Sequence, residues 1–323
     1  MADAETGEIL ASKDPDRQLP PASTLKMLTA VSLIDRIEGD STFAPTLQDI
    51  SQPGTKIGLR AGTPFVVSDI FAGMIMNSGN DAASALANAY GGWDNTLALM
   101  NSEAARLGAT KTHAQSPNGL DKSDQLSTAA DLATIFRAAI KIPEIRTILS
   151  TKEQWMESPT TGRKMKLYNH NAMLQWNYPG HIGAKTGYTS SAGNTLVAAT
   201  KQGGRTLVMA AMRTGMKMNV IAPRLFDWVA ENEKDLVPIG ILPEPGPRTD
   251  VEAIPAIAME QEGGPAPGQE ELLRVAGVIP AALSPAQPAF SGPSPLALGV
   301  LGAAILTGLV AILRRRKRAA NST

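Results

Sequence analysis

Cysteine is absent from this 323-residue sequence, and histidine is scarce. Without cysteine, the chain has no disulfide, no thiolate nucleophile and no cysteine-based metal site. The three histidines, His113, His170 and His181, lack the spacing of metal ligands, so we predict neither a metal site nor a cofactor. The chain also carries no net charge, because its thirty basic residues balance its thirty acidic residues. This balance argues against nucleic acid as a partner.

Three short motifs carry the chemical information instead. They are Ser-Thr-Leu-Lys at 23–26, Ser-Gly-Asn at 78–80 and Lys-Thr-Gly at 185–187. Each is weak evidence alone, because Ser-x-x-Lys also describes a helix start with an exposed lysine, and Ser-x-Asn also describes a turn. Together, and in this order, they indicate an enzyme that attacks a carbonyl group with a serine and uses lysine as its base.

Ser23 is the predicted nucleophile and Lys26 its base. Two prolines precede this motif, so a helix is expected to begin near Ser23 and to run to Ile34 or Ile37. Residues three apart share a helix face, which brings Lys26 within reach of the Ser23 hydroxyl. Lys26 must be neutral to accept a proton, and burial, the positive end of the helix and a second lysine would each lower its pKa.

The other motifs are expected to surround this pair. Lys185 is the candidate for the second lysine near Lys26. Ser78 could pass a proton between Lys26 and the leaving group, and Asn80 could hydrogen-bond to Lys26 or to the substrate amide. The four side chains would then form one proton-transfer network.

The Lys-Thr-Gly motif lies in a predicted strand, whose edge an extended peptide could join. Lys185 and Thr186 could hold the terminal carboxylate of that peptide, and Gly187 would let it approach the backbone closely. The developing oxyanion needs two backbone N–H donors. The amides of Ser23 and Tyr188 are the candidates.

The text around these motifs resembles the low-molecular-mass penicillin-binding proteins that are serine-type D-alanyl-D-alanine carboxypeptidases. The resemblance covers about residues 2–232 and is carried by segments 3–10, 20–27, 76–83 and 183–189. It implies removal of the terminal D-alanine from a peptidoglycan stem peptide, with Ser23 as the acyl-enzyme nucleophile and Lys26 as the general base. It also implies that penicillins and other β-lactam antibiotics, which mimic the D-Ala-D-Ala dipeptide, acylate Ser23.

The remaining site roles follow from the same resemblance. Ser78 and Asn80 would complete the proton network, and Lys185 would contact the substrate. In many family members an arginine beyond the Lys-Thr-Gly strand helps to bind the substrate carboxylate. Arg213 and Lys217 are both candidates for that role here.

Strand patterns at the start of the chain and at about 181–212 flank a mainly helical block at 68–145. This order predicts an α+β fold. The family's fold, an antiparallel sheet flanked by helices with a helical subdomain, matches it and implies a cleft between the two layers. Residues 113–126 are expected to form a loop near that cleft, and residues 1–235 one catalytic domain.

The sequence begins almost inside the first predicted strand. Family members begin with a secretion signal, whereas residues 1–3 provide neither its charged nor its apolar region. We therefore expect a truncated or mis-started sequence. Many family members also carry a β-rich second domain, and we see no pattern for one here.

The composition changes after the catalytic domain. Residues 236–295 are rich in proline, glycine and alanine, which predicts an extended linker. Residues 296–313 carry no charge and are just long enough to cross a bilayer core. Residues 314–323 begin with five basic residues, which predicts a cytoplasmic tail. We therefore expect a single-pass protein of the bacterial cell membrane with its catalytic domain outside the cytoplasm.

Two alternatives remain open. A β-lactamase would acylate the same serine, and class A enzymes use a glutamate for deacylation. Glu153 and Glu157 lie in roughly the right interval, but no loop signature surrounds them. A non-catalytic cell-wall sensor would keep the pocket without turnover, and the intact Ser23 and Lys26 argue against it.

Overall fold

The computed structural model describes residues 1–215, 218–248 and 253–257. Within these residues no helix is both long and apolar enough to cross a membrane. The predicted span at 296–313 and the basic tail at 314–323 lie outside the described residues.

The strands assemble into one central sheet and two small hairpins. In chain order they are β1 (Ala2–Asp3), β2 (Thr42–Phe43), β3 (Phe65–Val66), β4 (Glu153–Glu157), β5 (Lys164–Tyr168), β6 (His181–Thr189), β7 (Gly193–Gln202) and β8 (Arg205–Thr214). The central sheet has the order β1-β8-β7-β6, and its neighbouring strands are antiparallel. Strands β2 and β3 pair with each other, as do β4 and β5.

Most of the helices lie between the first strand and the last three. They are α1 (Lys26–Leu33), α2 (Leu47–Ile50), α3 (Val67–Met76), α4 (Asn80–Ala89), α5 (Trp93–Leu107), α6 (Ala129–Ala139), α7 (Pro143–Ser150), α8 (Ala172–Gln175) and α9 (Met218–Glu231). Helices and an antiparallel sheet thus combine as predicted, and the α+β class is confirmed.

The sheet separates two apolar clusters because successive side chains of a strand point to opposite faces. In β7, Val197 and Ala199 belong to the large cluster that contains α1, α3 and α4. Leu196 and Ala198 belong to the smaller cluster with Phe226 of α9. The nearly continuous apolar run of β7 is therefore explained by burial on both faces.

Local signals in the sequence set several helix ends. Gly108 adopts the left-handed conformation directly after α5 (φ +82°), where glycine carries no steric penalty. The Thr128 hydroxyl accepts a hydrogen bond from the Asp131 amide at the start of α6, as an N-cap residue does. Pro143 occupies the first turn of α7, the helical position that tolerates proline.

The nucleophile segment differs from the continuous helix that was predicted. Residues Ala22–Leu25 form one 3-10 turn, and the α-helix begins only at Lys26 and ends at Leu33. Ala22 has a positive φ of 50°, so the chain enters the turn through a conformation that a regular helix does not contain. Ser23 consequently lies in the tight turn that precedes the α-helix.

The strand that was predicted at the start of the chain is short. Strand β1 covers two residues, and Ala2 makes an isolated bridge with Ile9. The Asp3 carboxylate accepts hydrogen bonds from the amides of Glu5 and Thr6 and closes a tight turn between them. Ile9 then exchanges backbone hydrogen bonds with segment 239–240, so residues from the chain's later part complete this edge.

Part of the predicted linker packs on the catalytic domain. Buried Arg137 of α6 donates to the carbonyls of Ala4 and Glu5 and forms an ion pair with Glu244. Leu242 and Ile257 are buried. The composition of this segment does not reveal these contacts, because each depends on a partner distant in sequence.

Candidate active site

Ser23 is held by contacts that fix the turn around it. The Pro21 carbonyl accepts hydrogen bonds from the hydroxyls of Thr24 (2.6 Å) and Thr195 (2.9 Å). Gly119 packs so closely that an added Cβ would lie 2.1 Å from the Ala22 carbonyl oxygen. The turn is therefore clamped between β7 and the loop at 113–126.

Lys26 lies beneath Ser23 and is fully buried. Its Nζ is 2.9 Å from Ser23 Oγ, 2.7 Å from Asn80 Oδ1 and 2.6 Å from the Asn118 carbonyl oxygen. A lysine nitrogen makes at most three such bonds as an ammonium group. The geometry therefore fixes the position of the nitrogen relative to the Ser23 hydroxyl.

Burial lowers the pKa of Lys26 well below its usual value, and the charge of Lys185 lowers it further. Asp81 acts in the opposite direction. Both causes of the lowered pKa, burial and a second lysine, were expected from the sequence. A neutral Lys26 can accept the proton of Ser23, which a charged one cannot.

Lys185 approaches from β6 and is also almost wholly buried. Its Nζ lies 2.9 Å from Ser78 Oγ and 2.7 Å from the Thr186 carbonyl oxygen. Burial lowers the pKa of Lys185 to about 7. Ser78 has a positive φ of 61°, a strained conformation typical of functional positions. The Ser78 hydroxyl thus contacts Lys185, while Asn80 contacts Lys26.

The buried carboxylate of Asp81 holds the loop beside the middle motif. It accepts hydrogen bonds from the backbone amides of Ile57, Gly58 and Leu59, at 2.9–3.2 Å. The side chain of Asn80 is fixed to the same loop, because its Nδ2 atom donates a hydrogen bond to the Pro53 carbonyl oxygen at 2.6 Å. The orientation of Asn80 toward Lys26 therefore depends on this loop.

A cleft of about 480 Å³ opens above Ser23. It is lined by two of the predicted catalytic residues, three of the four predicted substrate residues and further side chains: Ser23, Thr55, Ser78, His170, Asn171, Ala172, Met173, Ala184, Thr186, Gly187, Tyr188, Asn194, Leu196 and Ala222. Lys26, Asn80 and Lys185 lie beneath its surface. Gly187 passes so near that an added Cβ would lie 2.7 Å from the Ser23 amide nitrogen.

Of the two candidates for the carboxylate-binding cation, the structure describes Arg213, which is not among the residues that line the cleft. Arg213 of β8 is exposed and lines a separate groove with Ile9 and Ala133. Lys217 lies outside the described residues. Among the residues that line the cleft, the basic side chain is His170, whose pKa is lowered by burial and by Lys185.

Several contributors to the site could not be predicted from the sequence. Asn118 acts through a backbone carbonyl, which leaves no trace in the residue type. Thr55 and Asn171 line the cleft, but neither stands in a recognisable motif. His181 contacts Asn171 and is itself partly buried, so it supports a cleft residue without lining the cleft.

The two candidate deacylating glutamates have other partners. Glu153 forms an ion pair with Lys166 at 2.9 Å, and Glu157 one with Lys164 at 3.2 Å. Both glutamates are exposed on β4. The structure thus gives no support to either of them as a base near Ser23.

Comparison with known proteins agrees with the geometry. Residues 1–215 match the family described as D-alanyl-D-alanine carboxypeptidase (peptidase family S11). The chain is 40% identical over 235 residues to D-alanyl-D-alanine carboxypeptidase DacB2 of Mycobacterium tuberculosis, which covers 71% of this chain and 80% of that protein. It is 30% identical over 209 residues to DacF of Bacillus subtilis, which covers 63% of this chain and 53% of that protein.

Solved structures give the same result. The crystal structure of the D-alanyl-D-alanine carboxypeptidase from Mycobacterium tuberculosis matches with a TM-score of 0.68 and 38% identity, over 75% of this chain and 92% of that one. The Streptomyces K15 DD-transpeptidase matches with a TM-score of 0.63 and 27% identity, over 71% of this chain and 92% of that one.

Proposed function

We propose that this chain, which belongs to the serine-type D-alanyl-D-alanine carboxypeptidase family, uses Ser23 to remove the terminal D-alanine from peptidoglycan stem peptides. Membership rests on the match over residues 1–215 and on the 40% identity to the mycobacterial relative. The chain is therefore a hydrolase of the serine peptidase class. The assignment of individual residues to steps is our proposal.

In the acylation step, Ser23 Oγ attacks the carbonyl carbon of the penultimate D-alanine, and neutral Lys26 takes the hydroxyl proton. The negative charge on the carbonyl oxygen is met by the backbone amides of Ser23 and Tyr188. The C–N bond then breaks. The leaving nitrogen takes a proton through the Ser78 hydroxyl, which the proton held by Lys26 restores, and D-alanine departs.

In the second step, water attacks the ester carbonyl and Lys26 accepts its proton. The ester bond breaks, Ser23 Oγ regains a proton, and the shortened peptide leaves. Lys185 and Thr186 hold the terminal carboxylate of the substrate before cleavage. Asn80 orients Lys26 and can also accept a hydrogen bond from the substrate amide.

One observation carries this proposal: the Nζ atom of Lys26, fully buried, lies 2.9 Å from Ser23 Oγ. Burial favours the neutral amine that a base requires.

The direct test is incubation of the full chain with an acylated Lys-D-Ala-D-Ala tripeptide and assay of free D-alanine. Wild-type protein should release D-alanine, and the Ser23→Ala variant should release none. An added amino-acid acceptor would reveal transfer instead of hydrolysis.

β-Lactam binding follows from the same nucleophile. We propose that benzylpenicillin acylates Ser23 and that the adduct persists. The geometry of the site suits attack by water on the ester of a peptide, so water should hydrolyse the ester of the penicillin adduct slowly. A β-lactamase would instead release the adduct rapidly. A non-catalytic sensor would bind the peptide without releasing D-alanine, and the tripeptide assay separates it from an enzyme.

For the rest of the chain, we propose that residues 1–235 form the catalytic unit, that 236–295, whose described part packs against this unit, connect it to a membrane helix at 296–313 and that 314–323 remain in the cytoplasm. The uncharged stretch followed by five basic residues supports this orientation. Deletion of residues 296–323 should release the protein from bacterial membranes. Continued membrane association of the deletion variant would refute the anchor.

A further inference from the structure

The hairpin of β4 and β5 presents an unusual outer face. Met156 and Leu167 point inward and are buried, so the alternating residues point outward. We call the outward set the hairpin face; it consists of Glu153, Trp155, Glu157, Lys164, Lys166 and Tyr168. Trp155 is 62% exposed and Tyr168 50%. Two large aromatic side chains therefore lie on one small solvent-facing surface.

The two aromatic rings are held in position. Lys166 pairs with Trp155 across the strands, and its ammonium lies 5.7 Å from the Trp155 ring centre and 5.1 Å from that of Tyr168. Glu153 fixes the same ammonium at 2.9 Å. Cation–π contacts of this length are attractive, so the rings are arranged before any ligand arrives.

The hairpin face adjoins the catalytic cleft. The Tyr168 amide donates to Asn77 Oδ1 at 3.1 Å, and Asn77 is the residue before Ser78. Two residues after Tyr168, the His170 amide donates to the Met76 carbonyl at 3.0 Å, and His170 lines the cleft. Because one residue advances the chain by at most about 3.8 Å, the backbone of Tyr168 lies within about 8 Å of the backbone of His170.

In the proposed reaction, the glycan strand is separated from the cleaved bond by the length of the stem peptide. A stem peptide is joined to its glycan strand at its first residue, and the cleaved bond follows the fourth. Four extended residues span about 14 Å. The sugars attached to a bound peptide therefore reach up to about 14 Å from the cleaved bond, which is farther than the at most about 8 Å between the backbones of Tyr168 and the cleft residue His170.

We propose that the hairpin face binds the glycan strand that carries the stem peptide. A pyranose ring has an apolar C–H face that suits an aromatic ring and a polar rim that suits charged side chains, and the hairpin face offers both. An anionic membrane surface is a poorer match, since Glu153 and Glu157 lie on the same face. This inference rests on the proposed function, because the peptide bound in the cleft is what places the attached glycan beside the face during the reaction.

The test compares two substrates that share one pentapeptide, free in one case and linked to its disaccharide in the other. The variant is Trp155→Ala in the full chain, and the control is Trp228→Ala, which removes an exposed tryptophan from α9. We expect kcat/KM for the linked substrate to fall about threefold to tenfold in Trp155→Ala, from the usual strength of one ring contact. The free peptide should be cleaved at the wild-type rate, and Trp155→Phe should restore most of the loss.

Equal losses on both substrates, or no loss on the linked one, would overturn the inference. Binding of peptide-free glycan strands to the full chain, followed by tryptophan fluorescence in the wild-type and Trp155→Ala proteins, gives a readout that needs no turnover. If the wild-type protein cleaves neither substrate, the proposed function fails, while the fluorescence measurement still tests the face. Loss of binding to anionic lipid vesicles in Trp155→Ala, with glycan binding unchanged, would assign the face to a membrane and refute our proposal.

Discussion

Lysine replaces histidine as the proposed base in this site, and burial makes that possible. Lys26 contributes no exposed surface, and its pKa is lowered by burial and by Lys185. An exposed lysine would be charged at neutral pH. The pH dependence of the reaction should therefore report on these two buried lysines.

We expect a bell-shaped pH profile of kcat/KM for the tripeptide. Lys26 acts in its neutral form, so its lowered pKa makes the rate rise with pH at values well below 10.5. Lys185 holds a carboxylate in its charged form, so the rate should fall as pH rises through its pKa of about 7. Initial rates of D-alanine release across pH 4–10, roughly the range in which buried lysines titrate, would measure both limbs.

The Lys185→Met variant serves as the control for this profile. The alkaline limb should disappear, because the titrating cation is gone. The acid limb should move to higher pH, because Lys185 no longer lowers the pKa of Lys26. An acid limb at an unchanged position would contradict the coupling between the two lysines.

Gly187 gives a second prediction at the scale of one residue. An added Cβ would lie 2.7 Å from the Ser23 amide nitrogen and 2.5 Å from Thr195 Oγ1. Gly187→Ala should therefore displace a proposed oxyanion donor and reduce kcat about 100-fold, as loss of one such donor does. Kinetic assay of the tripeptide, with circular dichroism to verify folding, would measure this.

Gly215→Ala is the matched control, since an added Cβ there meets no atom of the described residues within 4 Å. This variant should keep wild-type activity. A Gly187→Ala protein with wild-type kcat would mean that the strand does not contribute to the oxyanion site.

Among single elements, the loop beside α4 is held by one carboxylate. Asp81 is fully buried and accepts hydrogen bonds from the amides of Ile57, Gly58, Leu59 and Ala82. Asp81→Asn should lower the free energy of unfolding by about 2 kcal/mol or more, because bonds to a charged acceptor are strong. It should also reduce acylation, since the same loop positions Asn80.

Urea unfolding of Asp81→Asn beside Asp94→Asn would test this prediction. Asp94 is exposed in the first turn of α5, so its loss should cost only a few tenths of a kcal/mol up to about 1 kcal/mol. Equal effects of the two substitutions would show that the Asp81 carboxylate does not stabilise the loop.

The predictability of the elements follows from the range of the interactions that form them. Helix α5 lies in the block at 68–145 that was predicted to be mainly helical, and Gly108 is a local signal that ends it. The nucleophile turn was not predicted, because its shape depends on Gly119 and Thr195, which are distant in sequence. The motifs supplied candidate residues that the fold brings together, whereas the contact of Lys26 with the Asn118 carbonyl could be found only in the folded chain.

For the whole molecule, the described part of the segment after α9 joins several elements. Arg137 links it to the first turn through Glu244, and Arg248 forms an ion pair with Asp35 at 2.8 Å. Ile257 is fully buried and donates its amide to the Ala89 carbonyl. The segment thus contributes burial and buried hydrogen bonds to the catalytic domain.

We therefore expect a chain ending at residue 235 to be less stable than one ending at 257. Loss of Leu242, Ile257 and the partners of Arg137 should lower the free energy of unfolding by several kcal/mol, since each large buried side chain contributes about 2 kcal/mol. Thermal unfolding of the two proteins would measure the difference. Equal melting temperatures would mean that residues 236–257 add nothing to the fold.

The central claim is that Ser23 is a nucleophile that forms a persistent acyl-enzyme. The most direct measurement is an intact-mass time course of the full chain with excess benzylpenicillin, beside the Ser23→Ala variant. We expect one stable adduct that maps to Ser23 and is absent from the variant. An adduct on another residue, its persistence in Ser23→Ala, or its rapid disappearance while penicillin is consumed would contradict the account.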